Sequence, residues 1–109
     1  MTASESEKET IPPLANIDRT IHEPARLIIL AYLYVIKSGD FIFLMRQTGL
    51  TWGNLSSHLS RLETAGYVEV EKKFKGKKPH TMLSLTQKGR KAFKDYRENM
   101  QQLLNGDFN

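Results

Sequence analysis

The chain has 109 residues, enough for one domain with a single modest core and too few for a second. It contains no cysteine, which excludes disulfides, thiolate nucleophiles and thiolate metal ligands. Its 16 Lys and Arg outnumber 12 Asp and Glu for a net charge of +4, a balance that favours acidic partners.

Residues 1–13 are polar and acidic and end in a double proline, so they read as a flexible tail that cannot bury enough surface to order itself. The tail lacks a basic stretch followed by an apolar one, so no secretory signal is expected and a cytoplasmic location follows. Leu14, Ile17 and Ile21 keep helical spacing, suited to a short helix packing on a partner surface. In HEPARLIILAYLYVIKSGD, Pro24 suits the first helical turn, and Lys37-Ser38-Gly39 reads as a cationic last turn and a glycine stop. The run Leu27 to Ile36 is apolar nearly all round. It covers about half of the ~20 residues needed to cross a bilayer, so it predicts a central buried helix rather than a membrane span.

Asp40 then caps a shorter helix, Phe41 to Thr48, with Ile42, Leu44 and Met45 expected inward and Gly49 at its end. Thr51 is the N-cap of the next helix, so two helices are joined by a tight glycine-containing turn, the pattern of a helix-turn-helix. In TWGNLSSHLSRLETAGY, Leu55, Leu59 and Leu62 form one apolar line. The opposite side holds Gly53, Asn54, Ser57, Ser60, Arg61 and Thr64, mostly poor helix formers where a merely solvated face would carry Glu, Lys and Gln.

After Gly66 the hydrophobic period changes from 3.6 to 2: Val68 and Val70 alternate with Glu69 and Glu71, and Leu83 and Leu85 repeat the pattern. A β-hairpin is expected, with Pro79 in its loop and Lys72, Lys73, Lys75, Lys77 and Lys78 around Gly76. Thr86 caps a last helix from Gln87 to about Leu104, whose Phe93, Tyr96, Met100, Leu103 and Leu104 line one side. Between Lys72 and Arg97 ten basic residues face a single acid, Asp95.

The run GLTWGNLSSHLSRLETAGYVEVEKKFKGKKPHTMLSLTQKGRKAF resembles winged helix-turn-helix transcriptional regulators of the MarR and ArsR type, particularly the small prokaryotic ones. The resemblance lies in the GLT-x-x-N-L-S-x-H-L-x-x-L helix, the G-Y-V strand entry and the L-T-x-x-G start of the last helix, and it extends over about Ile21 to Leu104. It implies an α+β, mostly α, fold over residues 14–109: a three-helix core, a β-hairpin wing and a C-terminal helix. The implied function is sequence-specific binding of double-stranded DNA to regulate transcription.

The same resemblance places a recognition helix, about residues 51–65, in a major groove about 12 Å wide, where short side chains let the backbone approach. Thr51, Ser56, Ser57 and Ser60 would donate to phosphates or base acceptors, Asn54 would pair with an adenine edge, and Arg61 would contact phosphate or guanine. Gly53 would make room for close approach. Lys73, Lys75, Lys77 and Lys78 would hold phosphates or enter the minor groove from a wing at residues 72–80. Regulators of this kind bind as two-fold dimers. The seam is expected along residues 87–104 through Phe93, Tyr96, Met100, Leu103 and Leu104, joined by Leu14, Ile17 and Ile21. Recognition helices would then stand about 34 Å apart on an inverted repeat.

Blander readings stand beside these: a solvated serine face, a lysine edge that discourages strand aggregation, and a stripe that only covers the protomer's own first helix. Trp52, at the rim of the leucine line, departs from what the relatives carry, and packing is expected of it rather than reading. His58 is expected to pack or touch phosphate. No metal or cofactor is expected, since His22, His58 and His80 lie on three elements without a partner ligand at i+3 or i+4. No nucleophile elbow or phosphate loop suggests an enzyme. The alternative is a winged-helix adaptor that binds proteins within a larger assembly, which should present apolar anchors instead of a basic wing. RNA binding ranks below both for want of an aromatic stacking platform. An effector would have to use the seam, near Tyr32 and Tyr34.

Overall fold

A computed structural model of the chain describes residues 16–106. The expected tail at 1–13 and Leu14 lie outside them. Among the described residues four helices and one three-stranded antiparallel sheet surround a common core, in the order α1 Pro24–Ile36, β1 Ser38–Asp40, α2 Phe41–Thr48, α3 Trp52–Thr64, β2 Val68–Lys75, β3 Lys78–Leu85 and α4 Gln87–Leu104. The mostly helical α+β winged-helix architecture expected from the sequence is therefore present. Among the described residues no helix is long and apolar enough to cross a membrane.

Helix α1 is the centre. Its Ile29, Leu30 and Leu33 are fully buried, and they meet Leu44 of α2, Leu55 and Leu62 of α3, and Leu83 of β3 in one cluster. Each such side chain contributes about 1.5–3 kcal/mol by leaving water. The outward side of α1 is less covered than the uniform apolarity predicted: Ile28 is 43% and Val35 78% exposed.

Helix α1 also ends differently. Lys37, not Gly39, takes the positive φ (+72°) that turns the chain. Gly39 instead sits inside the three-residue strand β1, where a Cβ would stand 2.9 Å from Ile36 Cδ1. Its missing side chain serves close packing rather than helix termination. Strand β1 pairs with β3 (Ser38↔Ser84, Gly39↔Leu83, Asp40↔Met82), giving the order β1-β3-β2.

In α2 the buried pair is Phe41 and Leu44, with Met45 half-buried, while Ile42 is 40% exposed, contrary to its expected inward position. Asp40 caps the helix through the Phe43 amide at 2.7 Å. Helix α3 closes in a Schellman turn: Tyr67 N–H donates to Leu62 O, Gly66 N–H to Glu63 O, and Gly66 holds φ +82°.

Strands β2 and β3 pair in full register from Val68↔Leu85 to Lys75↔Lys78, leaving Gly76-Lys77 as a two-residue turn with Gly76 at φ +64°. Pro79 belongs to β3, opposite Phe74, rather than to the loop. Counting ladder pairs from the turn makes Phe74↔Pro79 a non-hydrogen-bonded pair. The absent proline amide therefore points away from β2, past the end of β1, and deletes no ladder bond.

Candidate nucleic-acid interface

Helix α3 is held by its ridge. Leu55 and Leu62 are fully buried and Leu59 nearly so. Against that, Gly53, Asn54, Ser57, Ser60 and Thr64 together cost about 3 kcal/mol of helix propensity relative to alanine. Three buried leucines contribute about 4–9 kcal/mol, so the ridge wins and the outer face is free to carry weak helix formers. Thr51 adds the cap, its Oγ1 accepting from Asn54 N–H at 3.2 Å.

Thr51, Gly53, Asn54, Ser56, Ser57, Ser60 and Arg61 are all exposed, forming a continuous outer surface on α3. No heavy atom lies within 4 Å of a Cβ built on Gly53, so packing within the chain gives no reason for glycine there.

A groove of about 340 Å³ runs between α3 and the hairpin. Its walls include Trp52, Ser56 and Ser60 on one side and Val70, Lys72 and Thr81 on the other. Trp52 is 60% exposed and leans on Phe41 with ring centroids 4.4 Å apart and planes at 49°. The packing expected of Trp52 thus accounts for one edge of its ring. A second concavity, about 500 Å³, lies at the far end of α3 and brings Arg19, Thr20, Ser60, Arg61 and Thr64 together.

Pleat alternation sorts the hairpin into two faces. Val68, Val70, Lys72 and Phe74 point to the side of the core and the groove, with their partners Leu85, Leu83, Thr81 and Pro79. Lys73, Lys75 and Lys78 occupy the other face, and Lys77 the turn. All are exposed. Lys73 lies 3.4 Å from Glu71, an exposed pair that restrains it weakly. Lys72, Arg19 and Trp52, which the expected binding set did not include, also border these two concavities. The strand alternation was the signal that would have placed Lys72 beside the recognition helix; Arg19 reaches it only through the turn before α1, which no periodicity reveals.

Behind α3 the helix is pinned to the start of α1. Arg26, 9% exposed, donates through Nε to Thr20 O and through Nη1 to His58 Nδ1 at 3.2 Å. Glu23 caps α1 through the Arg26 amide at 2.8 Å and stands 3.8 Å from His58. Burial opposes the Glu23 charge, but that amide bond and the nearby Arg26 guanidinium outweigh it and hold the carboxyl below its usual range. His58 therefore packs, as one of its two expected roles required. His22 meets Tyr96 Oη at 2.8 Å and His80 faces Asp40 at 3.9 Å, so the three histidines serve three separate local contacts.

The expected seam divides. Ile21 is fully buried, and Phe93 and Tyr96 are 5% and 7% exposed; all three fill the protomer's own core instead of its surface. Ile17, Met100 and Leu103 are half-buried, and Leu104 is 78% exposed. Tyr34 is enclosed by Phe93, Arg90 and Arg97, while Tyr32 borders the exposed Val35 side of α1.

A helix-turn-helix whose second helix offers an open, short-side-chain face beside a lysine-rich two-stranded hairpin defines a winged-helix protein. The chain belongs to the winged helix DNA-binding domain family, whose model matches residues 25–104. An uncharacterized protein of Methanocaldococcus jannaschii is 42% identical over 71 residues, 65% of this chain and 77% of that one. The structure of a transcriptional regulator homologue protein from Pyrococcus horikoshii OT3 superposes with a TM-score of 0.79 at 26% identity, covering 94% of this chain and 96% of its own. The YusO protein of Bacillus subtilis shares the fold at a TM-score of 0.73 and 18% identity, over 95% of this chain and 71% of its own. The winged-helix regulator resemblance drawn from the sequence is borne out, and DNA is the partner class to which the family points.

Proposed function

We propose that the protein is a sequence-specific regulator of transcription that lays α3 in the major groove of duplex DNA and sets its wing on the adjoining backbone or minor groove. The observation that carries this reading is the outer face of α3. It combines Gly53, with open space around it, with exposed Ser56, Ser57, Ser60 and Arg61, next to the exposed lysines of the hairpin. Short donors suit close approach to base edges, and the flanking cations suit phosphates. Asn54 and Arg61 are the base-reading residues, for adenine and guanine respectively; Thr51 and the serines position the helix. Arg19, beside Arg61, adds a phosphate contact at the C-terminal end of α3.

Two copies act together on an inverted repeat, with Met100, Leu103 and Leu104 available to the seam. The protein works by binding rather than by catalysis. Selection from a random duplex library with the full chain tests the whole reading. The expected product is two related half-sites about 10 bp apart, centre to centre. Failure to enrich any sequence, together with no retardation of random duplex at low salt, would reject it in favour of a protein-binding adaptor.

A further inference from the structure

We propose that Phe74, backed by Pro79, is an apolar wedge that enters the minor groove beside the recognition site and unstacks a flexible base step there. The inference rests on the DNA-binding reading above and adds a residue, a mode of contact and a sequence preference to it.

Phe74 is 72% exposed, near the tip of a hairpin whose other tip residues are lysine, glycine and proline. Its position is set by the ladder: the groove-side face reads Val68/Leu85, Val70/Leu83, Lys72/Thr81 and then Phe74/Pro79. The first two pairs reach the core, the third lines the groove beside α3, and the fourth projects beyond it. An apolar pair reappearing outside a polar one has no role in the protomer's own packing. Phe74 and Pro79 face each other directly in a non-hydrogen-bonded pair, the closest spacing across a ladder.

Charge decides what can cover that pair. Lys72 precedes it on the same face and Lys77 stands in the turn beyond it, while Lys73, Lys75 and Lys78 project from the opposite face of the same tip, all exposed. A covering surface must therefore present apolar area close to negative charge. The minor groove does so: sugar walls and base edges lie between two phosphate rails, in a slot about 6 Å wide. The two-residue turn narrows the hairpin to a tip, so that a single ring beside it can reach the groove floor where an unstacked step opens it. Phenylalanine and proline are side chains that wedge base steps apart from that side. Pyrimidine–purine steps, TA or CA/TG, unstack most easily, so a preference for one should appear about half a helical turn, ~5 bp, from the major-groove contact.

The test uses the full chain and a duplex recovered by selection, carrying 2-aminopurine at successive flanking positions. Wild type is expected to raise the emission several-fold at one flanking step and to bend a circularly permuted probe. Phe74→Ala should lose both effects while still retarding the duplex with an unaltered salt slope; Phe74→Leu should keep most of both. Replacing the TA or CA/TG step by AA should weaken wild type several-fold and leave Phe74→Ala unchanged. The proposal is overturned if wild type retards the duplex without any flanking emission change, or if Phe74→Ala bends and unstacks as wild type does. Failure of wild type to retard any duplex removes the DNA reading itself and this inference with it. Phe74-dependent co-sedimentation with phosphatidylserine vesicles, in the absence of duplex binding, would assign the residue to a lipid surface instead.

Discussion

A Cβ placed on Gly89 would stand 2.1 Å from the carbonyl oxygen of Tyr67. The first turn of α4 therefore lies directly on the backbone at the entry to β2. Thr86 fixes the contact from both sides, its N–H donating to Tyr67 O at 3.1 Å and its Oγ1 to Gly66 O at 2.6 Å, while the same Oγ1 accepts from Gly89 N–H at 2.9 Å. The Leu-Thr-x-x-Gly start of the last helix is thus a docking joint between α4 and the base of the wing.

Gly89→Ala should destabilise the fold by about 1–3 kcal/mol or more, because the obstructing atom is main chain and cannot rotate aside. Urea unfolding checks it. An unchanged midpoint would show that α4 can shift without cost and that the joint is loose.

Gly53→Ala makes the opposite test on an open surface. The helix should gain about 1 kcal/mol in stability, since alanine is the better helix former and nothing lies near the added methyl. Duplex affinity should fall. A variant that gains stability and binds as tightly as before would remove close backbone approach as the reason for this glycine.

Arg61→Ala should relax base preference at one position of the half-site, by about 1–3 kcal/mol of discrimination, if the guanidinium reads guanine. Repeating the duplex selection with the variant measures this directly. A uniform loss across all sequences would reassign Arg61 to phosphate, alongside Arg19.

The combined variant Lys75→Gln, Lys77→Gln and Lys78→Gln should weaken every duplex similarly and flatten the dependence of log affinity on log salt by up to ~2.7, about 0.9 for each phosphate released. A wild-type slope in the variant would mean that the tip never meets the backbone.

Tyr67 gives a pH signature at the alkaline end. Burial, and then the hydroxyl's bond to Asp18 at 2.5 Å, push its pKa up from 10.0 to about 12. The folded protein therefore keeps a proton that the unfolded chain releases near pH 10. The stabilisation is complete below pH 10 and is lost as the pH rises through 12. The difference in unfolding free energy between wild type and Tyr67→Phe should be flat below pH 10 and shrink above it. A constant difference over that range would show that the hydroxyl is not protected.

The four helices and the wing were legible because their signals are local: Thr51, Asp40 and Thr86 cap where short oxygen-bearing side chains precede apolar periodicity, and Val68/Val70 alternate. The misreadings concern long-range partners. Strand β1 is three residues with no alternation to detect, formed only because β3, more than forty residues later, supplies its ladder. Gly39 therefore looked like a helix stop. Periodicity likewise identified Phe93 and Tyr96 as one stripe, expected at a dimer seam, but what buries them is the protomer's own α1 region, through Tyr34 and His22. On the outer face of α3, sequence alone singled out the residues that lie on the helix surface, whereas the groove that Trp52 and Lys72 share exists only because the hairpin folds back beside α3.

The end of β1 at Asp40↔Met82 has a mechanical consequence. Up to that pair the sheet is three strands wide and bolted to the helices; from Lys72↔Thr81 to Lys75↔Lys78 it continues as a two-strand finger. A two-strand finger has fewer ladder bonds to hold it than the three-strand base, so in the proposed complex its tip is the part free to adjust to the width of a duplex, while the base keeps a constant spacing to α3, like a caliper with one compliant jaw.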